Sequence, residues 1–310
     1  MKKIITAIIS LLLLITITGC NTAKKDNKLT ILTSNFPSYD FARAITKDVP
    51  NTSVEMLLKP GTEMHNYEPT PKDIIKISKS DIFIYVGGES DEWIDDLLDN
   101  IDTKKVKVIK LMDLVNTVEE ETVEGMQTEE EEEEKEYDEH VWTSPKNAIK
   151  IVNSLKDEII KLDKDNSNLY EMNSNIYINE LNSIDSKIRI IVENSSRKEL
   201  IFADRFPFRY LADEYDLKYY AAFPGCSSET EASAKTISFL INKVKEDNIP
   251  VILTIEFSNK KIANTISKET GAKILELNSA HNISEEDFNN GKTYVDIMND
   301  NIDVLKEALQ

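Results

Sequence analysis

The chain carries three histidines and two cysteines in 310 residues, so each can be weighed singly. His65, His140, His281 and Cys226 are residue types that ligate transition metals. Three imidazoles and one further donor would suit Zn²⁺ in tetrahedral geometry, and a thiolate is an excellent Zn²⁺ donor. A preponderance of hard oxygen ligands would instead favour Mn²⁺ or Mg²⁺. All three histidines fall in segments that follow a β-like run. His65 follows 54–58, His140 follows 105–110 and an acidic insert, and His281 follows 273–277. Ligands of open α/β sheets bind beyond the carboxyl ends of strands. The expectation is one shared cleft, with two imidazoles from the first half of the chain and one from the second.

The elements that must position them alternate. Strand-like runs at 29–33, 54–58, 82–86 and 105–110 are separated by helical patterns, including Pro71 as the first residue of a helix through Ser78. From Pro145 to about Asn194 there is no glycine and no internal proline. An apolar face runs through Ile149, Val152, Leu155 and Ile159, breaks at 163–168, and resumes from Leu169 to Ile191. The second part predicts a helix of about 28 residues, about 40 Å long. Alternation resumes with strands at 200–203, 219–223, 251–256 and 273–277, and a closing helix at 295–309. The fold class predicted is α/β, two pseudo-symmetric lobes with parallel sheets joined by a long rigid connecting helix. The expected organisation is a signal peptide at 1–19, a lipidated tether at 20–28, an N-terminal lobe at 29–144, a connecting helical segment at 145–195 and a C-terminal lobe at 196–310.

The formal net charge is −19 and the pI about 4.7, which excludes a nucleic-acid binder relying on clustered Lys and Arg. Residues 119–139 hold 13 Asp or Glu and one Lys, a net −12. Such a run is expected to be a mobile loop that gathers cations weakly, with Glu130–Glu134 as its densest part. The long apolar run Ile4–Ile17 follows Met1-Lys2-Lys3 and is about 14 residues, short for a membrane span. It fits the h-region of a signal peptide. Gly19-Cys20 behind it resembles a bacterial lipobox, which implies cleavage before Cys20 and a diacylglycerol on its thiol. Cys226 is then left without an intrachain disulfide partner. It is a buried thiol, a reactive thiol or a ligand.

Two local sequences carry a family resemblance. Gly61-Thr62-Glu63-Met64-His65-Asn66-Tyr67-Glu68-Pro69 and Asp138-Glu139-His140-Val141-Trp142-Thr143-Ser144-Pro145 resemble motifs of the solute-binding proteins of zinc and manganese ABC importers, the ZnuA-like and TroA-like group. The lipobox, the charged insert before His140, the long helix and the ending Gly291-Lys292-Thr293-Tyr294 extend the resemblance over the whole mature chain. It implies His65 and His140 as metal ligands in a cleft between two lobes. The family's third ligand, His or Glu, falls at Arg205, five residues before Tyr210. A guanidinium is all donor and always charged, and it cannot ligate a metal. The family's last ligand falls at or beside His281. The expected set is therefore His65, His140, His281 and a fourth donor, Cys226, with Asp204 next and Glu229, Glu231, Glu256 or water behind it.

The resemblance implies a lipid-anchored receptor on the extracytoplasmic face of a bacterial cell membrane. It would bind Zn²⁺ (or Mn²⁺) and pass it to an ABC permease, as a monomer and without catalysis. A zinc hydrolase would need an open metal position and a placed base, and no H-E-x-x-H helix is present. Glu63 and Glu139 are the nearest candidates for such a base. A cell-adhesion role is the remaining alternative.

Overall fold

The computed structural model describes residues 28–62, 67, 69–98, 105–127, 136–227 and 231–310. His65, Glu229, the leader with Cys20 and the Glu130–Glu134 run lie outside the described residues, as does Glu63.

The first lobe is built from β1 (Leu29–Thr33), α1 (Phe36–Ile45), β2 (Thr52–Met56), α2 (Pro71–Lys79), β3 (Ile82–Tyr85), α3 (Glu92–Leu98) and β4 (Lys107–Lys110). Its strands are all parallel, in the order β2-β1-β3-β4. Two helices follow, α4 (Pro145–Leu162) and α5 (Ser167–Asn194), the latter 28 residues long. The second lobe comprises β5 (Glu199–Arg205), α6 (Arg209–Tyr215), β6 (Lys218–Phe223), α7 (Ala234–Glu246), β7 (Val251–Thr254), α8 (Lys261–Thr270), β8 (Lys273–Glu276), α9 (Glu285–Asn289) and α10 (Tyr294–Ala308). Its order, β6-β5-β7-β8, repeats that of the first sheet, again parallel. The two-lobed α/β architecture and the long connecting helix are as the sequence predicts.

Local chemistry sets the helix boundaries. At α4, the Ser144 side chain accepts from the Asn147 amide and Pro145 supplies a preset φ at the first position. Between α4 and α5, the Asp163 carboxylate accepts from Asn166 Nδ2 and Tyr170 Oη, both at 2.7 Å, which turns the polar break into a fixed corner. At α2 and α10, Asp73 and Asp296 accept from the Thr70 and Thr293 amides, each at 2.9 Å.

One apolar core runs through both lobes. Ile31 and Ile84 of the first sheet, Ile151 and Leu155 of α4, Ile184 and Ile188 of α5, and Phe202 and Leu253 of the second sheet are all buried in it. Helix α5 packs on α1 at one end and on α10 at the other. Separate clusters fill the outer face of each sheet, with Phe83 and Ile77 on one and Ile252 and Leu240 on the other. Burying each such side chain contributes about 1.5–3 kcal/mol. A wide hinge motion would have to expose part of this shared core, so the lobes are held as one body.

One expectation needs correction. The flanks of the acidic insert are packed structure. Glu119 bridges Tyr137, the Glu120 amide donates to Glu136 O at 2.9 Å, and Asp138 and Glu139 are buried. Carboxylates that accept backbone N–H bonds gain back the hydration they lose, so acidic composition alone does not unfold a segment. Among the described residues, no helix is long and apolar enough to cross a membrane.

Candidate metal site

His140 is fixed by the start of α4. It caps a short 3₁₀ turn, Val141–Thr143, and its carbonyl accepts from the Thr143 amide and hydroxyl at 3.0 and 2.9 Å. Its ring is fully buried, and Asp138 Oδ1 stands 3.2 Å from Nδ1 and 2.8 Å from the backbone amide. That carboxylate holds the proton on Nδ1 and leaves Nε2 to present a lone pair. Burial works against the charged imidazole. Asp138, Glu139 and Glu120 outweigh it and hold the pKa above its ordinary value.

Glu139 is also fully buried and is oriented from the β3–α3 loop. Ser90 donates to it twice, through its amide at 3.0 Å and its hydroxyl at 2.6 Å. Gly88 lies directly against it at φ +87, where an added Cβ would come within 2.7 Å of Glu139 Cβ. Only glycine fits this approach. Burial raises the Glu139 pKa, opposed by His140 and the Ser90 bonds. Asp91, behind this loop, is pushed up to about 7 by burial and then by Glu139. A cation placed here would relieve that crowding of buried negative charge.

His281 comes from the other lobe, in the loop after β8. Glu256, at the end of β7, organises that loop. It accepts from the Ser279 amide at 2.7 Å, the Ser279 hydroxyl at 2.5 Å and the His281 amide at 3.2 Å. Trp142 then locks the two lobes together. Its indole Nε1 donates to Ser279 O at 2.7 Å, and its ring lies 5.4 Å from the His140 ring and 5.0 Å from the His281 ring.

These loops converge. The His140 and His281 ring centroids are 5.1 Å apart, and His281 Nε2 is 3.9 Å from Glu139 Oε1. One ligand atom each from Glu139, His140 and His281 lies within 4.8 Å of the others, and all three residues are buried. Tetrahedral Zn²⁺ with bonds of about 2.0–2.2 Å requires donors about 3.3–3.6 Å apart, so the group needs to close by up to about 1.5 Å. Thr62 lines the same pocket. Its carbonyl accepts from Asn282 Nδ2 at 2.6 Å, and the Gly61 amide donates to Ile283 O at 2.7 Å. Thr62, the last described residue before His65, therefore stands at the pocket wall beside His281.

The other candidates stand differently. Cys226 is buried but does not belong to the Glu139–His140–His281 group. Burial, Glu139, Asp138, Glu120 and Glu89 all push its thiol well above the ordinary range, so a thiolate forms there only against strong opposition. Asp204 accepts from the Arg205 amide at 2.9 Å and from the Ser258 hydroxyl, and so shapes the end of β5. Glu231 pairs with Lys261 at the surface. Glu256 is the scaffold of the His281 loop. Arg205 lines the pocket and donates to Ser227 O at 3.3 Å. Glu139 is the candidate donor that sequence reasoning did not include in the ligand set. Its one signal is adjacency to His140, and neighbouring side chains converge only because the backbone bends there into the 3₁₀ turn.

Two parallel α/β lobes, a rigid helical connector and buried donors contributed from both sides of the cleft define a cleft-type solute-binding protein. A family model described as the periplasmic zinc-uptake complex component A, ZnuA, matches residues 31–308, and the chain belongs to that family. It is 36% identical over 310 residues to the zinc-binding lipoprotein AdcA of Streptococcus pneumoniae strain R6, covering 99% of this chain. It spans 61% of that relative's length. It is also 36% identical over 287 residues to the high-affinity zinc uptake system protein ZnuA of Bacillus subtilis, covering 92% of this chain and 89% of that one. The crystal structure of the Zn(II)-bound ZnuA-like domain of the pneumococcal AdcA is similar at a TM-score of 0.75 and 34% identity. That match covers 91% of this chain and 99% of the other.

Proposed function

We propose that this chain is an extracytoplasmic receptor, lipid-anchored through Cys20, that captures Zn²⁺ between its lobes and delivers it to an ABC permease. The observation that carries the reading is the convergence of Glu139, His140 and His281, from loops of both lobes, within 4.8 Å. Imidazole donors suit Zn²⁺, and the carboxylate offsets part of its charge. His65 is proposed as a further ligand on the strength of its motif and the course of the chain at Thr62. Cys226 is retained as a candidate only if its loop shifts. The names of the zinc-binding and zinc-uptake relatives support the same ion. The lipobox sequence supports the anchor, and membership of an uptake family supports a permease as partner.

Capture needs no bond-making chemistry beyond coordination. Asp138 orients His140, Ser90 orients Glu139 and Glu256 orients the His281 loop, so the donors are arranged before the ion arrives. Chelator-competition titration of residues 21–310 tests the reading. Tight, one-to-one Zn²⁺ binding is expected, lost when His140→Ala and His281→Ala are combined. Affinity unchanged in that double variant would refute it.

A further inference from the structure

Glu120 belongs to the first lobe but acts on the second. The segment 116–127, between the 3₁₀ turn that follows β4 and the densest acidic run, crosses the cleft as a strap. It lies along β6, the edge strand of the second sheet, where the Gln127 amide donates to Ala222 O at 2.9 Å. The Ser233 amide donates to Gln127 Oε1 at 2.6 Å, and the Tyr219 hydroxyl donates to Glu121 Oε2 at 3.1 Å. At its centre, Glu120 Oε1 accepts from the Gly225 amide at 2.8 Å and the Cys226 amide at 3.2 Å.

The held loop is part of the metal pocket. Gly225 lines it, and an added Cβ there would sit 3.3 Å from His140 Cε1, 3.2 Å from Asp138 Oδ2 and 3.0 Å from Phe206 O. The loop thus comes close to the Cε1 edge of the His140 ring and to the carboxylate that orients it. Its connection to β6 contains Pro224 and Gly225, so no regular ladder keeps it in place. The two N–H bonds to Glu120 hold it, beside the Arg205 bond to Ser227 O.

We infer that Glu120 is a positioning residue. It latches the Gly225–Cys226 loop of the second lobe over His140 and so slows release of the bound ion. This inference rests on the proposed zinc-binding reading. Both N–H bonds to a charged acceptor go when the latch is lost, so the dissociation rate is expected to rise about tenfold.

Two variants and two readouts test it in the full mature chain. Glu120→Ala removes both acceptors, whereas Glu120→Gln keeps a carbonyl oxygen in place and removes the charge. Dissociation is timed by mixing the Zn²⁺-loaded protein with excess chelator. Glu120→Ala is expected to release Zn²⁺ about tenfold faster, and Glu120→Gln to recover most of the slow release. Amide hydrogen exchange in metal-free protein reads the latch directly. Protection of the Gly225 and Cys226 amides should fall in Glu120→Ala and persist in Glu120→Gln. Unchanged release in Glu120→Ala, or equal acceleration in both variants, would overturn the inference. Failure of the wild type to bind Zn²⁺ would sink the functional reading and with it the release role. The exchange pattern would still decide whether Glu120 holds the loop.

Discussion

The two lobes share one strand order, yet they face the cleft with different chemistry. The first contributes His140 and Glu139 from a bend frozen against the N-terminus of α4, and both are fully buried. The second contributes His281 from the loop after β8, held by Glu256, and it carries Arg205 at the end of β5, where the family resemblance leads one to expect a donor. Topology alone therefore sets where ligands can be, and the loop residues set which side owns the ion. Here the described donors are weighted toward the first lobe. The second lobe supplies one imidazole, a cation and a glycine-containing loop laid over His140.

The largest effect should come from splitting the donors by lobe. His140→Ala removes the best-oriented nitrogen and takes the ring partner from buried Asp138. We expect it to weaken Zn²⁺ binding by more than about 100-fold, beyond the 10–100-fold typical of losing a residue that merely supports a ligand. His281→Ala should cost less, since the Glu256–Ser279 bonds that shape its loop remain. Competition titration against a chelator of known affinity decides the order. A larger loss for His281→Ala would reverse the ownership argued here.

Restoring symmetry should act the other way. Arg205 places a fixed positive charge on the wall of a cation pocket. Arg205→His would remove that charge and offer an imidazole where the second lobe lacks one. We expect affinity to rise by about tenfold, equivalent to about 1.4 kcal/mol. An unchanged or weaker affinity in the same titration would mean that Arg205 holds the loop through Ser227 O more than it repels the ion.

Much of this was legible from residues alone. The eight strands fall within a few residues of their predicted positions, because parallel strands buried on both faces read as short β-branched runs between breakers. The break between α4 and α5 was visible as a polar interruption of an apolar stripe. Loops after strands pointed to the cleft, and the two described histidines, His140 and His281, have their rings 5.1 Å apart. What escaped was local. Glu139 reads as one acid among many, because its burial depends on Ser90 and Gly88, which are about 50 residues away in the chain. The flanks of the acidic insert read as solvated for the same reason. Nothing in their composition announces that the Gly225 and Cys226 amides need an acceptor.

The smallest effect separates the buried acids of the first lobe from the ion they would neutralise. Asp91 is buried, with Glu139 nearby, and has its pKa pushed up to about 7 from an ordinary 3.8. The His140 pKa is also raised in the folded protein, since its carboxylates outweigh its burial. A raised folded pKa contributes stability that is fully present below the unfolded value and is lost as pH rises through the folded one. Metal-free protein is therefore predicted to lose thermal stability as pH rises from about 4 to about 7 through Asp91, with His140 adding to the loss above about 6.5, a shift of a few degrees. Zn²⁺ binding needs neutral imidazole and ionised carboxylate, so the stabilisation that it adds should grow over the same interval. Melting curves with chelator and with Zn²⁺ should diverge as pH rises. Asp91→Asn should flatten the metal-free curve, because an amide cannot ionise, and leave the divergence in place. Parallel curves in the wild type would mean that the first lobe's buried charge is not linked to the ion.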